Sequence, residues 1–454
     1  MNWINIKIQN GNSDNDKIYS FGRWMSWLFF LASILLLIYT YYRAEITPFD
    51  GDISIYYKYY IISFLGILFW GLVLRLHKEI RTNIVMIAIS LLVGIYMIEG
   101  GLIFLGLEQV NRTSVKLGVD FDQRTKLEVI ESLIAEGEDA VPAVRPRDLL
   151  TMDEKILPLG GISNKTTVGE NESGQRMVYL SDRYGFNNPD SEWDAKKVEW
   201  LLTGDSFTEG VAVQPGEDIA GQLRFITQKS AINLGRSGNG PLMELAEITE
   251  YIGAIKPKKV LWIYSRNDLT SDLQRDKKIP LLMRYMDDKF SQNLINRQKE
   301  IDSKLEKYII KKQVLRKKNS WVRLAAIRNM LNFDVGNDIE VTDDPMFAEI
   351  LTKAKERVEG SGGDIYFIYL PKYYRYTNTN NSYPKLKKKS EVINIVKAIG
   401  IPVIDIHQEV FANHPNPKSL FPFSLGGHYN AEGYNEVAQA ILSSVKKYEK
   451  KKND

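Results

Sequence analysis

A serine near the middle of this chain has the setting of a nucleophile. Ser206 stands in the stretch VEWLLTGDSFTEG, where the mostly apolar residues 198–202 predict a buried strand and 203–205 predict a tight turn. Ser206 is therefore expected at the carboxyl edge of a parallel sheet and at the start of a helix, where unpaired N–H groups favour developing negative charge. An alcohol nucleophile also needs a base within hydrogen-bond reach and donors aimed at the oxyanion.

The candidates for the base are few. Four histidines occur in the chain: His77, His407, His414 and His428. His428 lies in the loop sequence GGHYN, between the last predicted strand and a final predicted helix, and we take it as the base. Gly238 and Asn267 follow the second and third strands, so a backbone N–H and a side-chain amide there complete an oxyanion hole with the N–H of Ser206. No cofactor is expected, and His407 and His414 match no metal-ligand spacing, so no metal site is predicted.

Strands and helices alternate through the second half of the chain. Five short apolar runs are predicted as strands: 198–202, 231–234, 259–264, 364–370 and 402–406. Helical patterning precedes each later run, which is typical of a doubly wound parallel sheet. The fold class is therefore α/β, with about five parallel strands.

Four blocks of this region, in order GDSFTEG, NLGRSGNG, RND and GHYN, resemble the four blocks of the SGNH (GDSL-type) hydrolases. The resemblance covers residues 195–450. It implies a three-layer α/β/α, flavodoxin-like fold and serine ester chemistry. By motif position it places the nucleophile at Ser206, the oxyanion donors at Gly238 and Asn267, and the base at His428.

The sequence departs from that family at one catalytic position. The family usually has an aspartate three residues before its histidine, and Leu425 stands there instead. The third block also has Arg266 where a small residue is common. The candidates to orient the imidazole in place of that aspartate are a backbone carbonyl and Asp405. We expect a Ser206–His428 dyad rather than an inactive relic.

Residues 1–106 are predicted to be a membrane domain with three transmembrane helices, at about 24–42, 59–76 and 83–105. Glu99 interrupts the third apolar run. Basic residues crowd the segment before the first span and the loop between the second and third. The positive-inside rule then puts the N-terminus in the cytoplasm and the catalytic domain on the periplasmic or extracytoplasmic side of the inner membrane.

The remaining segments connect or elaborate these domains. Residues 107–194 are predicted to be an extracytoplasmic stalk and lead-in, with an amphipathic helix over 122–137 capped by Asp122. An insertion at about 275–345 contains a predicted helix over 287–332 with one basic face, which is either solvated or attracted to anionic lipid or glycan. Three residues after the fourth strand are candidate substrate contacts: Tyr373, Tyr374 and Arg375.

Composition narrows the function classes. The net charge of +3 gives no bulk attraction to nucleic acid, and the absence of cysteine excludes disulfides and thiolate chemistry. The leading hypothesis is a membrane-anchored esterase or O-acyltransferase. Its expected substrate is a cell-surface polysaccharide or lipid-linked glycan that carries an acyl group, with acetyl as the first choice. A membrane protein is a further candidate partner. The alternatives are a lipid-directed esterase and a non-catalytic glycan-binding or assembly protein. Hydrolysis or transfer, the acyl group, the acceptor and the oligomeric state are left open by the sequence.

Overall fold

The computed structural model describes residues 2–46, 54–104, 120–150, 155–269, 272–319, 324, 327, 344–377 and 385–454. Of these, residues 2–14, 54–55, 103–104, 267, 312–319, 385–387 and 453 are described by their backbone alone. The chain divides into two compact units, one of residues 1–110 and 314–337 and the other of residues 111–313 and 338–454.

The first unit contains three long helices, α1 (Asn2–Tyr41), α2 (Ser54–Val73) and α3 (Lys78–Phe104). A π-helical turn, Tyr42–Ile46, continues α1. Each helix is long and apolar enough to cross a membrane, over Asn15–Ile46, Tyr56–Val73 and Lys78–Leu102. These are the three predicted spans. The first helix starts well before residue 24, because a helix does not need apolar side chains to form and the polar residues before the span continue it.

Glu99, which interrupts the apolar run of α3, is fully buried in this unit. Its Oε2 accepts a hydrogen bond of 2.9 Å from the backbone N–H of Ile327. A buried carboxylate is costly without such a partner, so this contact helps to explain how α3 accommodates the charge.

The second unit is built on a sheet of five parallel strands, which confirms the predicted fold class. The strands are β4 (Trp200–Gly204), β5 (Ala231–Asn233), β6 (Lys259–Tyr264), β7 (Asp364–Tyr369) and β8 (Val403–Asp405). Their order is β5-β4-β6-β7-β8, so β4 lies inside the sheet, between β5 and β6. In such a sheet the ligand site lies beyond the carboxyl ends of the strands, at the point where the strand order reverses. Ser206 follows β4 at that point.

Helices cover both faces of the sheet and make three layers. On one face, α6 (Ile219–Thr227) packs against the last helix, α13 (Ala431–Asn453); on the other, α7 (Pro241–Ile255) packs against α11 (Pro345–Gly360). Alternate strand residues such as Leu202, Leu261 and Ile263 face the α6–α13 core. The short apolar runs are buried on both sides, which is why they show no polar alternation.

The described part of the lead-in, residues 120–150 and 155–194, folds within this second unit rather than standing apart as a stalk. It forms a small sheet of β1 (Ala140–Pro142), β2 (Thr166–Val168) and β3 (Val178–Leu180) in the order β1-β2-β3. Helix α4 (Lys126–Ala135) packs against β1. Residues 107–119, the first part of the predicted segment 107–194, lie outside the described residues.

Two predicted helices have different limits in the structure. The helix expected over 122–137 is α4, and Thr125 caps it in a capping box with Glu128. The predicted cap, Asp122, instead forms an ion pair of 2.7 Å with Arg124. The helix expected over 287–332 is α10 (Gln298–Asn319), and most residues beyond 319 in that prediction lie outside the described residues. Lys304, assigned to a basic face, donates to the Ile156 carbonyl at 2.7 Å.

Several carboxyl groups are buried beneath the sheet edge that carries Ser206. Glu244 in α7 is fully buried, and both of its carboxyl oxygens lack a hydrogen-bond partner among the described residues. Burial and the nearby Asp268 and Glu247 carboxyls raise the pKa of Glu244 well above its ordinary value. Burial likewise raises the pKa values of Glu247 and Asp268. These acids are therefore more readily protonated in the folded protein than in the unfolded chain.

This arrangement predicts a stability that falls as pH rises. A carboxyl whose folded pKa is raised contributes its full stability below the unfolded pKa, and that stability is lost as pH rises through the folded pKa. Each such group contributes a slope of up to about 1.4 kcal/mol per pH unit within that window. We expect the unfolding temperature of the full chain in detergent to fall as pH rises above the ordinary pKa values of these carboxyl groups.

Glu244→Gln, which mimics the protonated acid, should make that fall shallower and raise the unfolding temperature at the alkaline end. The exposed Glu131→Gln serves as the control and should follow the wild type. A Glu244→Gln curve parallel to that of the wild type would contradict the expectation.

Candidate active site

The turn after β4 presents Ser206 as the first residue of a short helix, α5 (Ser206–Glu209). Asp205 precedes it and is buried. One oxygen of Asp205 accepts the N–H of Phe207 at 2.9 Å, and the other accepts the Ser265 hydroxyl at 2.6 Å. Because Ser265 directly follows β6, Asp205 joins the ends of two neighbouring strands around the nucleophile.

The structure brings the predicted nucleophile and base together. The Oγ of Ser206 lies 2.6 Å from the Nε2 of His428. The ring of Phe207 packs against the imidazole, with ring centroids 4.5 Å apart. His428 stands just before α13, whose first turn is capped by the Asn430 side chain. The distance suits direct transfer of the hydroxyl proton to the imidazole.

A carboxylate that the sequence did not reveal completes the arrangement. The Nδ1 of His428 lies 2.9 Å from each carboxylate oxygen of Glu172, and the backbone N–H of His428 donates to the same group at 2.9 Å. A carboxylate beside Nδ1 favours the tautomer that carries its proton there and leaves Nε2 free to accept the serine proton. Ser206, His428 and Glu172 therefore have the geometry of a catalytic triad.

Glu172 is held as an anion. Burial raises the pKa of its carboxyl, but the His428 charge and the hydrogen bonds from its ring and backbone outweigh burial and hold that pKa below its ordinary value. The ionised carboxylate can both fix the ring orientation and stabilise an imidazolium formed during reaction.

The loop around Glu172 is fixed by its own turn and by the chain that precedes α4. The N–H of Gly174 donates to the side chain of Asn171, and the Asn171 amide donates to the carbonyl of Asp122, both at 3.0 Å. Opposite this loop, Gly427 has a φ of +85°, and a Cβ built there would lie 2.5 Å from Glu172 Oε2. Glycine at 427 therefore lets the carboxylate approach the histidine loop.

Neither of the substitutes proposed from the sequence orients His428. Asp405 forms an ion pair with Lys389 at 2.5 Å, so its carboxylate belongs to a different contact. The Nδ1 of His428 faces Glu172 rather than a backbone carbonyl. Leu425, which stands at the usual aspartate position, has a side chain that is 51% exposed. Glu172 lies 256 residues before His428, in a segment that carries no catalytic motif. The only signal in the sequence is the turn-forming run Asn-Glu-Ser-Gly, which predicts a loop there but no partner for His428.

Two backbone donors are available to an oxyanion. Among the described residues, the N–H groups of Ser206 and Gly238 have no hydrogen-bond acceptor. Gly238 has a φ of +79°, and its carbonyl accepts a hydrogen bond of 2.9 Å from Arg275. Asn267 lies in the 3-10 turn Arg266–Leu269 after β6, and its side chain is outside the described residues. Its place in the oxyanion hole therefore remains a prediction.

A buried ion pair joins the nucleophile helix to the Gly238 loop. Glu209, at the end of α5, accepts a hydrogen bond from Arg236 at 2.9 Å, and both side chains are almost fully buried. Glu209 also accepts from the N–H of Ser237 at 2.7 Å. Arg236 donates in addition to the Tyr179 hydroxyl at 2.8 Å. The loop of the second motif is thus positioned by its arginine relative to Ser206.

The three candidate substrate contacts have different surroundings. The hydroxyl of Tyr373 donates to the carbonyl of Ser424 at 2.6 Å, and its ring packs against Phe421. Tyr373 therefore supports the loop that leads to His428. Tyr374 is 63% exposed, and Arg375 is partly exposed, so both remain predicted contacts.

The other two histidines of this unit have separate partners. His407 Nδ1 lies 3.0 Å from the Tyr376 hydroxyl, and burial lowers the pKa of His407 to about 4. His414 Nε2 lies 3.6 Å from Glu436 Oε1. Within the described part of the chain, no three histidine, cysteine, aspartate or glutamate side chains form a cluster suited to a metal ion.

Solved structures that are similar to this chain include a lipolytic protein of the G-D-S-L family from Desulfitobacterium hafniense, with 13% identity over 55% of this chain and 99% of that chain and a TM-score of 0.32. A lipase/acylhydrolase from Enterococcus faecalis has 14% identity over 55% and 97%, with a TM-score of 0.32. An acetyl xylan esterase has 11% identity over 55% and 100%, with the same TM-score of 0.32. The sequence matches no family model and none of the curated proteins.

The Glu209–Arg236 pair yields a stability prediction. Arg236→Met leaves the Glu209 carboxylate buried without its counter-charge, which typically costs about 3–5 kcal/mol. We expect denaturant unfolding of the full chain in detergent to show a loss of that size. Arg183→Met is the control because Arg183 pairs with the exposed Asp190 and Asp194. Equal losses in the two variants would contradict a structural role for the buried pair.

Proposed function

We propose that this chain is a membrane-anchored SGNH-type serine esterase or O-acyltransferase, with Ser206 as nucleophile, His428 as general base and Glu172 as the residue that orients His428. The observation that carries the proposal is the continuous contact from the Ser206 hydroxyl through the imidazole to the Glu172 carboxylate. The three groups come from separate parts of the chain, and each stands in the order that nucleophilic acyl transfer requires.

The reaction follows from this order. Ser206 Oγ attacks the carbonyl carbon of the ester while His428 Nε2 takes the hydroxyl proton, and the carbonyl oxygen becomes an oxyanion. The N–H groups of Ser206 and Gly238, with the Asn267 amide as a further predicted donor, stabilise that charge. The imidazolium then protonates the leaving alcohol, which departs and leaves an acyl-serine. Water or an acceptor hydroxyl, deprotonated by His428, then attacks the acyl-serine. The bond to Ser206 Oγ breaks, the imidazolium returns the proton to Oγ, and the free acid or the acylated acceptor is released.

The substrate class is an acylated, and in the simplest case acetylated, cell-surface glycan. A cavity of about 680 Å³ supports a large polar substrate, because it opens beside the Glu172 loop. Its lining includes Ser173 and Gly174 from that loop and the polar side chains Arg176, Gln214 and Glu217. Such donors and acceptors suit sugar hydroxyls.

Glu172 also bears on the alternative functions. The argument for a non-catalytic glycan-binding protein was that Leu425 replaces the usual aspartate. The Glu172 carboxylate contacts His428 Nδ1 and can take the orienting role of that aspartate. The argument for a lipid-directed esterase was the basic helix face. Lys304 of that face donates to a backbone carbonyl, and Lys307 and Lys311 are exposed. We favour the glycan-directed enzyme because of the polar cavity beside the Glu172 loop.

Active-site labelling tests the proposal. A fluorophosphonate probe should label the full-length protein in detergent and should not label Ser206→Ala. If the folded wild-type protein is not labelled, the serine-enzyme hypothesis is contradicted and the non-catalytic binding protein is supported. Acetate release or acetyl transfer from a panel of O-acetylated glycans then separates esterase from transferase.

Esterase activity on a small chromogenic ester tests the role of Glu172. Glu172→Gln should lower the turnover of p-nitrophenyl acetate by roughly 10⁴-fold, because an amide favours the wrong imidazole tautomer. The matched control is Glu170→Gln, which removes a carboxylate two residues away that pairs with Lys126 at 2.7 Å. Similar activities in the two variants would remove Glu172 from the triad.

For the location, we propose that the second unit lies on the extracytoplasmic side of the cell membrane. The three apolar helices and the basic segments beside them support this orientation. Alkaline phosphatase fused after Asp454 should then be active in whole cells, and a fluorescent protein that folds only in the cytoplasm should be dark at that position. The reverse pattern would overturn the orientation.

A further inference from the structure

Arg147 lies against the loop that is proposed to bind the oxyanion. It belongs to a 3-10 turn of the lead-in, Pro146–Leu149, and its side chain is partly exposed. A Cβ built on Gly238 would lie 2.2 Å from Arg147 Cδ and 2.8 Å from its Nε. The arginine side chain therefore runs directly over the Cα of Gly238, at the edge of the sheet where Ser206 stands.

This guanidinium has no hydrogen bond or ion pair with any residue that the structure describes. Its neighbours differ in this respect. Arg145 pairs with Asp148 at 3.0 Å, and Arg275 pairs with Asp272 and Asp276, each at 2.8 Å. The carboxylates around Gly238 are thus already engaged by other arginines.

The surroundings also make the unpaired charge costly. Burial, followed by the positive charges of Arg145 and Arg275, lowers the pKa of Arg147 below its ordinary value, against the opposing attraction of the nearby Asp272 and Asp148 carboxylates. Arginine nevertheless stays protonated in proteins. A partly desolvated guanidinium with five N–H donors gains most from an anion that accepts two of them at once.

We propose that Arg147 forms an anion subsite beside the proposed oxyanion hole and that it binds a carboxylate or phosphate carried by the substrate glycan. The substrate is then an acidic polysaccharide whose charged group lies close to the acylated hydroxyl. The inference rests on the proposed function only in taking the Ser206 edge as the place where the substrate binds.

The contact also explains a requirement at Gly238. With a side chain there, Arg147 could not lie across the loop, and the φ of +79° disfavours any other residue. One glycine thus serves both the oxyanion donor and the anion subsite.

Binding to an inactive variant tests the subsite independently of catalysis. Ser206→Ala full-length protein in detergent is titrated with fluorescent oligogalacturonide, with a neutral oligomannoside of equal length, and with a phosphodiester-linked sugar oligomer. We expect at least one of the two acidic probes to bind about ten- to a hundred-fold more tightly than the neutral one, as a charge-assisted hydrogen-bond pair allows. The acidic probe that binds identifies the source of the anion.

Adding Arg147→Met should abolish that preference, and adding Arg147→Lys should restore part of it, since lysine keeps the charge without the planar fork. The control is Lys446→Met, which removes one positive charge at an exposed position of α13. It should keep the preference. Unfolding temperatures of the variants show whether each one is folded.

The proposal is overturned if the Ser206→Ala protein binds acidic and neutral probes equally, or if folded Arg147→Met keeps the preference. A failure of fluorophosphonate labelling would refute the esterase and leave this binding result standing. Conversely, esterase activity with no preference for acidic probes would refute the subsite alone.

Discussion

The contact between the Glu172 carboxylate and the His428 imidazole is the interaction on which the proposed chemistry depends. A histidine can accept a serine proton only when its ring is held in the correct tautomer and orientation. Glu172 supplies both through Nδ1 and adds a hydrogen bond from the backbone N–H of His428. The lead-in that carries Glu172 is therefore part of the site rather than a connection to it.

Two further contacts hold the site around this pair. Asp205 joins the turn after β4 to Ser265 after β6, and Glu209 joins the nucleophile helix to Arg236. Both carboxylates are buried and lie within four residues of Ser206. The two acidic residues of the GDSFTEG motif thus fix the loops that bring the candidate oxyanion donors to the serine. The cost of burying them is offset by short, charge-assisted hydrogen bonds.

The lead-in and the five-stranded sheet together define a site with an asymmetric environment. On the side of His428, the Glu172 loop borders a cavity lined by polar side chains. At Gly238, Arg147 contributes a positive charge that forms no ion pair with any described residue. The proposal of a polar and anionic substrate rests on these two features, the polar part on the cavity lining and the anionic part on Arg147.

The sequence by itself determined the α/β class and the approximate positions of the five strands, because strand and helix periodicities are local properties of the chain. It also led to the prediction of Ser206, Gly238 and His428 as site residues, since their turns follow the strand ends that a parallel sheet brings to one edge. Tertiary structure alone decided that Glu172 meets His428, that Asp405 pairs with Lys389, and that Arg147 lies over Gly238. These contacts join residues far apart in sequence, and no local pattern encodes which distant side chain will fill a given space.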